Sequence, residues 1–234
     1  MAQVETTTSL LLLPVFAGQC SLHFQAAQTD KHSFRLAESP SGRILLAACH
    51  SALHSELNLL SNDELEELDL CPSDFLDKQT LIVPLDARYV INPAICGPTL
   101  LLIQILRYLI FIDIETMHSS TGPLKPFADI FKSNIQHGVG ILGFSSGILS
   151  ACVVATSCST LVLINRAVEA YRLALWIGIR AQMYRIGALK LARPDINLTS
   201  WSFFLFGISK YDAYNAISIF NRVYHLKNPL KFYI

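Results

Sequence analysis

The sequence predicts an α/β domain, and three observations carry that prediction. Residues 137–155, H-G-V-G-I-L-G-F-S-S-G-I-L-S-A-C-V-V-A, read as an apolar strand, a glycine-flanked turn and a helix in direct succession. Residues 10–16 form a second apolar run, which ends in the tight-turn sequence Ala17-Gly18-Gln19-Cys20 and fits a buried strand. Residues 43–60 and 160–185 place apolar side chains at helical spacing, as amphipathic helices do when they cover a sheet.

The remaining elements follow in chain order. Residues 21–38 are polar and irregular, and Ser39-Pro40-Ser41-Gly42 punctuates the chain before the helix expected at 43–60. Ser61 with Glu64 fits a capping box for a short acidic helix over 63–68. Its cluster Asp63, Glu64, Glu66, Glu67 and Asp69 lacks the ordered spacing of a calcium loop and reads as a solvated face. Pro72, Pro84, Pro93 and Pro98 break residues 71–98 into loop. Residues 99–113 suit a buried helix with Arg107 snorkelling or paired, and 127–134 a short helix. In the long helix the expected core stripe is Leu161, Ile164, Val168, Tyr171, Leu175, Ile179 and Met183, with Arg166, Arg172, Arg180 and Arg185 on the wetter side. Residues 201–206 read as a strand and 209–220 as a helix.

Composition narrows the function classes. The chain has 234 residues, a formal net charge of zero and no basic block, which argues against nucleic acid as a partner. Six cysteines lie scattered with no C-x-x-C pair, as in a cytoplasmic protein with reduced thiols, and no metal site is expected. Residues 9–18 lack the basic flank of a signal peptide. Residues 138–165 carry no charge and are long enough to span a bilayer, but their glycines and hydroxyl residues favour the strand–turn–helix reading.

Gly143-Phe144-Ser145-Ser146-Gly147 is a G-x-S-x-G in the strand-to-helix context that makes it a nucleophile-elbow candidate. Such a turn strains the serine backbone and leaves no room for side chains at the glycines. The following helix aims its first N–H groups at a developing oxyanion. A serine nucleophile needs a base, and the chain offers His23, His32, His50, His54, His118, His137 and His225. His137 lies at the far end of the incoming strand, about 20 Å away at strand rise. His225 follows the serine in the chain order that hydrolase-like folds use. Gln19, after the first strand, sits where a second oxyanion N–H could arise.

These residues resemble a family. Pro14-Val15-Phe16-Ala17-Gly18-Gln19 is similar to the F-P-G-Q-G opening of acyl-carrier-protein acyltransferases, and Asn92-Pro93-Ala94 to their Q-P-A segment. Gly143 to Gly147 resembles their G-H-S-x-G elbow, followed by a long helix with Gly178. The nearer likeness is to the starter-unit acyltransferase (SAT) domain of fungal non-reducing polyketide synthases. Ser39-Pro40-Ser41-Gly42, Leu106-Arg107-Tyr108-Leu109 and Ala167-Val168-Glu169-Ala170-Tyr171-Arg172 resemble basidiomycete orsellinic-acid-type synthases in particular. The resemblance spans roughly residues 10–220.

It implies an α/β-hydrolase-like core over 8–190, an incomplete ferredoxin-like subdomain over 198–222 and a short tail over 223–234. It implies ping-pong acyl transfer from acyl-CoA to the phosphopantetheine of a carrier-protein domain, with no bound cofactor. Ser145 matches the nucleophile, a position often held by cysteine in SAT domains; Ser146 and Gln19 match the oxyanion hole, and Tyr224-His225 resembles the family's Y-H, which makes His225 the base. Malonyl-specific relatives carry an arginine just before the glycine of the long helix, where this chain has Ile177, so a neutral acyl group is implied. A ferredoxin-like unit needs four strands and two helices, so roughly 30 to 60 residues are expected to be missing before Tyr224. An inactive truncated binding module, a serine hydrolase and a membrane protein spanning 138–165 remain as alternatives.

Overall fold

The computed structural model describes residues 13–17, 39–70, 92–118, 140–191 and 209–223. In chain order the elements are β1 (Val15–Phe16), α1 (Pro40–Leu57), α2 (Asn62–Glu67), α3 (Pro93–His118), β2 (Leu142–Gly143), α4 (Gly147–Ala155), α5 (Thr160–Leu191) and α6 (Lys210–Val223). The described chain is therefore mostly helical, around a small parallel pair of strands.

Helix α3 is the centre of the core. Leu100, Leu101, Leu102, Ile105, Leu106 and Leu109 are all buried, because α1 packs along one side of it and α4 along another. Its window Pro93–Asp113 is long and apolar enough to cross a membrane, yet 67% of it is buried inside the protein, as in the core helix of a domain. Pro98 lies inside this helix, where the sequence reading placed loop. Losing one backbone bond there costs about 3 kcal/mol. Burial of the leucines that follow contributes about 1.5–3 kcal/mol each, so packing outweighs the break. Arg107 is exposed.

Asn92 starts α3. Its Oδ1 accepts from the Ala94 N–H at 3.0 Å, while its Nδ2 donates to the Leu68 carbonyl at 3.0 Å and so ties α3 to the end of α2. The chain can turn back there because Asp69 takes the left-handed conformation, φ 54°, that lets the Leu70 N–H reach the Leu65 carbonyl. Helix α2 carries the expected capping box: Glu64 accepts from the Ser61 N–H, and Ser61 Oγ accepts from the Glu64 N–H. Its acidic side chains are exposed.

Helix α1 begins three residues earlier than the periodicity predicts. Ser39 caps it by accepting from the Gly42 N–H at 3.0 Å, and Pro40 occupies a first-turn position where no N–H is missed. Ser39 Oγ also donates to the Asp113 carboxylate, fastening the start of α1 to α3. The serine-proline-glycine run therefore opens a helix where loop was expected.

The long helix runs Thr160–Leu191, starting with the Val162 N–H on Ser159 Oγ. Its buried stripe is Leu163, Ile164, Ala167, Tyr171, Ala174, Leu175 and Ile179. Leu161 and Met183, both expected in the core, are exposed at 68% and 44%. The buried residues at those two ends of the stripe are Leu163 and Gln182 instead. Arg172 is less wet than expected: it pairs with Glu56 of α1, whose other oxygen accepts from Trp176 Nε1 at 2.9 Å.

By its contacts the chain forms two compact units, 1–183 and 184–234. In the second, α6 is capped by Ser209, whose Oγ accepts from the Asp212 N–H at 3.1 Å. The strand expected at 201–206 and the helix at 127–134 lie outside the described residues.

Candidate active site

Residues 140–165 do not form one membrane-length helix. They divide into β2, a two-residue turn, α4, a break at 156–159 and the start of α5. This excludes a single helix spanning the uncharged stretch.

The turn is built on the parallel pairing of β1 with β2, Val15 opposite Leu142 and Phe16 opposite Gly143. Two bonds fix the register: Leu142 N–H to the Pro14 carbonyl at 3.0 Å, and Phe144 N–H to the Phe16 carbonyl at 2.9 Å. After Phe144 the chain reverses into α4. Ser145, at the apex, has φ 53°, a left-handed conformation that costs a non-glycine residue about 1–3 kcal/mol and persists only when its surroundings impose it. Its side chain is exposed.

What imposes it is close backbone packing. A Cβ on Gly147 would collide with the Phe16 carbonyl and stand 2.7 Å from the Ala17 carbonyl oxygen. A Cβ on Gly143 would stand 2.7 Å from Ala151 Cβ. Both glycines are thus required by proximity, and together they press α4 onto the two strands with Ser145 on the outside of the bend.

The N-terminus of α4 lies directly behind Ser145. The Gly147 N–H is taken up by the Phe144 carbonyl and the Ile148 N–H by the Ser145 carbonyl, while none of these turn bonds among the described residues uses the Ser146 N–H. Ser146 Oγ is buried without a hydrogen-bond partner among the described residues. An oxyanion forming at Ser145 would meet the positive end of α4 here.

A polar pair missed by the sequence reading underlies this turn. Ser150, fully buried on α4, donates to Gln104 Oε1 at 2.6 Å, and Gln104 Nε2 donates to the Ala17 carbonyl at 2.7 Å. The available signal was a lone glutamine in the apolar run 100–106 and a lone serine in 147–155. On the far side of β1, Phe16 meets Tyr108 edge to face at 6.1 Å, and burial raises the Tyr108 hydroxyl to about 12.

The other expected residues are placed as follows. Gln19 and His225 lie outside the described residues, as do His23, His32 and His137. His50 and His54 face each other on α1, Nε2 to Nε2 3.1 Å. Ile177 is exposed, and Gly178 beside it packs on the first turn of α3: its missing Cβ would stand 2.6 Å from Ala94 Cα. Among the described residues no group of three or more His, Cys, Asp or Glu side chains could hold a metal. Cys49, its thiol raised to about 12 by burial, stays protonated and acts as core packing.

Comparison with known proteins adds a family. A family model described as "Starter unit:ACP transacylase in aflatoxin biosynthesis" (SAT) matches residues 15–234. Orsellinic acid synthase ArmB of Armillaria ostoyae is 38% identical over 211 residues, covering 90% of this chain and 9% of that protein. Orsellinic acid synthase armB of Armillaria mellea is 36% identical over 213 residues, 91% and 9%. The orsellinic acid synthase of Beauveria bassiana (strain ARSEF 2860) is 29% identical over 209 residues, 87% and 8%. The chain thus spans less than a tenth of the length of these relatives.

Proposed function

This chain belongs to the starter-unit:ACP transacylase (SAT) family, and from that premise we propose that it transfers a neutral short acyl group from acyl-CoA to the phosphopantetheine thiol of a polyketide-synthase carrier protein. The observation that carries the reading is Ser145 itself: exposed, at φ 53°, at the start of a helix and clamped by Gly143 and Gly147.

In the first half-reaction the Ser145 hydroxyl attacks the thioester carbonyl of acyl-CoA. Its proton passes to a base, for which His225 is the proposed residue, and then to the departing CoA thiol as the C–S bond breaks. An ester joins the acyl group to Ser145. In the second half-reaction the carrier thiol attacks that ester, the new thioester forms, and the serine regains its proton. The Ser146 N–H, with that of Gln19, serves each tetrahedral oxyanion. Ile177 in the position of the malonyl-binding arginine supports a cargo without a carboxylate, because an apolar side chain makes no ion pair. The same reading assigns 8–190 to an α/β-hydrolase-like core and 198–222 to part of a ferredoxin-like subdomain, working in the cytoplasm without a bound cofactor.

The test is intact mass after exposure to acetyl-CoA or malonyl-CoA. Wild type is expected to gain an acetyl adduct, weakly or not at all a malonyl one, and Ser145→Ala to gain neither. Wild type without any adduct, or an adduct that survives in Ser145→Ala, overturns the reading. Transfer of label to an added holo carrier protein, against release of acetate to water, separates a transferase from a serine hydrolase.

A further inference from the structure

The elbow is held from two sides by one side chain. Gln104 projects from α3, the most buried helix, and uses both ends of its amide. Its Oε1 accepts from Ser150 of α4, and its Nε2 donates to the Ala17 carbonyl at the end of β1. A serine within a helix commonly returns its hydroxyl to the carbonyl four residues back; Ser150 instead gives its proton to Gln104. The Ala17 carbonyl can only accept, so it takes the NH2 end of the amide and leaves Oε1 to the Ser150 hydroxyl, which then donates and braces the amide from its other end.

The Ala17 carbonyl is not a remote anchor. It is one of the atoms that a Cβ at Gly147 would strike, two residues after Ser145. The preceding carbonyl, of Phe16, holds the Phe144 N–H one residue before Ser145. The last peptides of β1 therefore touch the nucleophile turn on both flanks, and Gln104 sets how closely they approach it. We propose that Gln104, braced by Ser150, is a positioning residue for acyl transfer: it fixes the Ala17 carbonyl and through it the strained backbone that presents Ser145. This rests on the acyltransfer reading above.

Three variants test it. Gln104→Glu keeps the acceptor for Ser150 but turns a carboxylate oxygen toward the Ala17 carbonyl. Gln104→Leu removes both bonds, and Ser150→Ala removes the bracing one. The measurement is the rate of Ser145 acetylation per folded molecule, across acetyl-CoA concentrations, with the folded fraction set by urea titration. Both Gln104 variants are expected to lose roughly ten- to a hundredfold in the saturated rate with KM nearly unchanged, the scale of a small misplacement of reacting groups. Ser150→Ala loses less, and the Ser150→Ala/Gln104→Leu double variant is no slower than Gln104→Leu alone. A purely structural role would lower the folded fraction and leave the saturated rate per folded molecule intact; that result overturns the proposal. Should Gln104→Leu fail to fold, Gln104→Glu and Ser150→Ala carry the same test.

A wild type that forms no acyl-serine overturns the acyltransfer reading and with it the catalytic consequence. The positioning claim is then decided by hydrogen exchange at the Phe144 amide. Exchange at least several-fold faster in Gln104→Glu than in wild type upholds it, and equal exchange overturns it.

Discussion

Gly147 and Gly178 answer the same steric demand in two regions of the molecule. Each lets one backbone lie against another: α4 on the end of β1 at Gly147, α5 on the start of α3 at Gly178. The surroundings differ. Next to Gly178 the chain is regular helix. Next to Gly147 stands Ser145, left-handed and exposed, and beside it Ser146, whose buried hydroxyl has no hydrogen-bond partner among the described residues. The contrast teaches that the same close packing can support regular helix in one place and hold an exposed polar residue in a strained conformation in another, and the second is what makes Ser145 the candidate.

The comparison can be broken by adding one methyl group to each side. Gly147→Ala is expected to cost about 1–3 kcal/mol in urea unfolding and, per folded molecule, roughly a hundredfold or more in Ser145 acetylation, because the strand end and the turn must separate. Gly178→Ala is expected to show a similar loss of about 1–3 kcal/mol, with stability the larger share of its effect. Equal losses of rate in the two folded variants would erase the distinction.

A smaller effect sharpens the scaffold side. Asn92→Ala removes the cap of α3 and its bond to the Leu68 carbonyl, and should lower stability by about 1–2 kcal/mol in the same titration. The smallest is electrostatic. The Ser61 backbone N–H, then its hydroxyl, hold the exposed Glu64 carboxyl below its ordinary value of 4.5. A lowered folded value means that the cap contributes fully above the ordinary carboxylate range and is lost as pH falls through the folded value. Urea midpoints measured from pH 6 to pH 3 should fall slightly more steeply for wild type than for Glu64→Gln.

Local signals in the sequence were read well. The G-x-S-x-G between an apolar run and a helix, and the Ser61–Glu64 box, each involve residues within five positions of one another, and both form as strand-turn-helix and capped helix. The errors arose where tertiary contact overrides local preference. Pro98 looks like a helix breaker in the sequence because the burial that outweighs it comes from α1 and α4. Leu161 and Met183 fit a helical stripe but are exposed, because the neighbours that bury a helix face are not encoded in its own periodicity. Gln104 carried no visible meaning because its partners are 87 and 46 positions away. Gln19 and His225, chosen by their place in the chain and by resemblance, lie outside the described residues.

One consequence follows from the pairing of β1 with β2. The two strands are only two residues long and lie more than 120 positions apart in the chain. Such a contact gains little enthalpy and must first overcome the entropy of closing a very large loop. Packing of α1 on α3, both within that loop, brings its ends nearer and lowers this cost. Correct geometry at Ser145 is therefore expected to form late in folding, after the core that positions it.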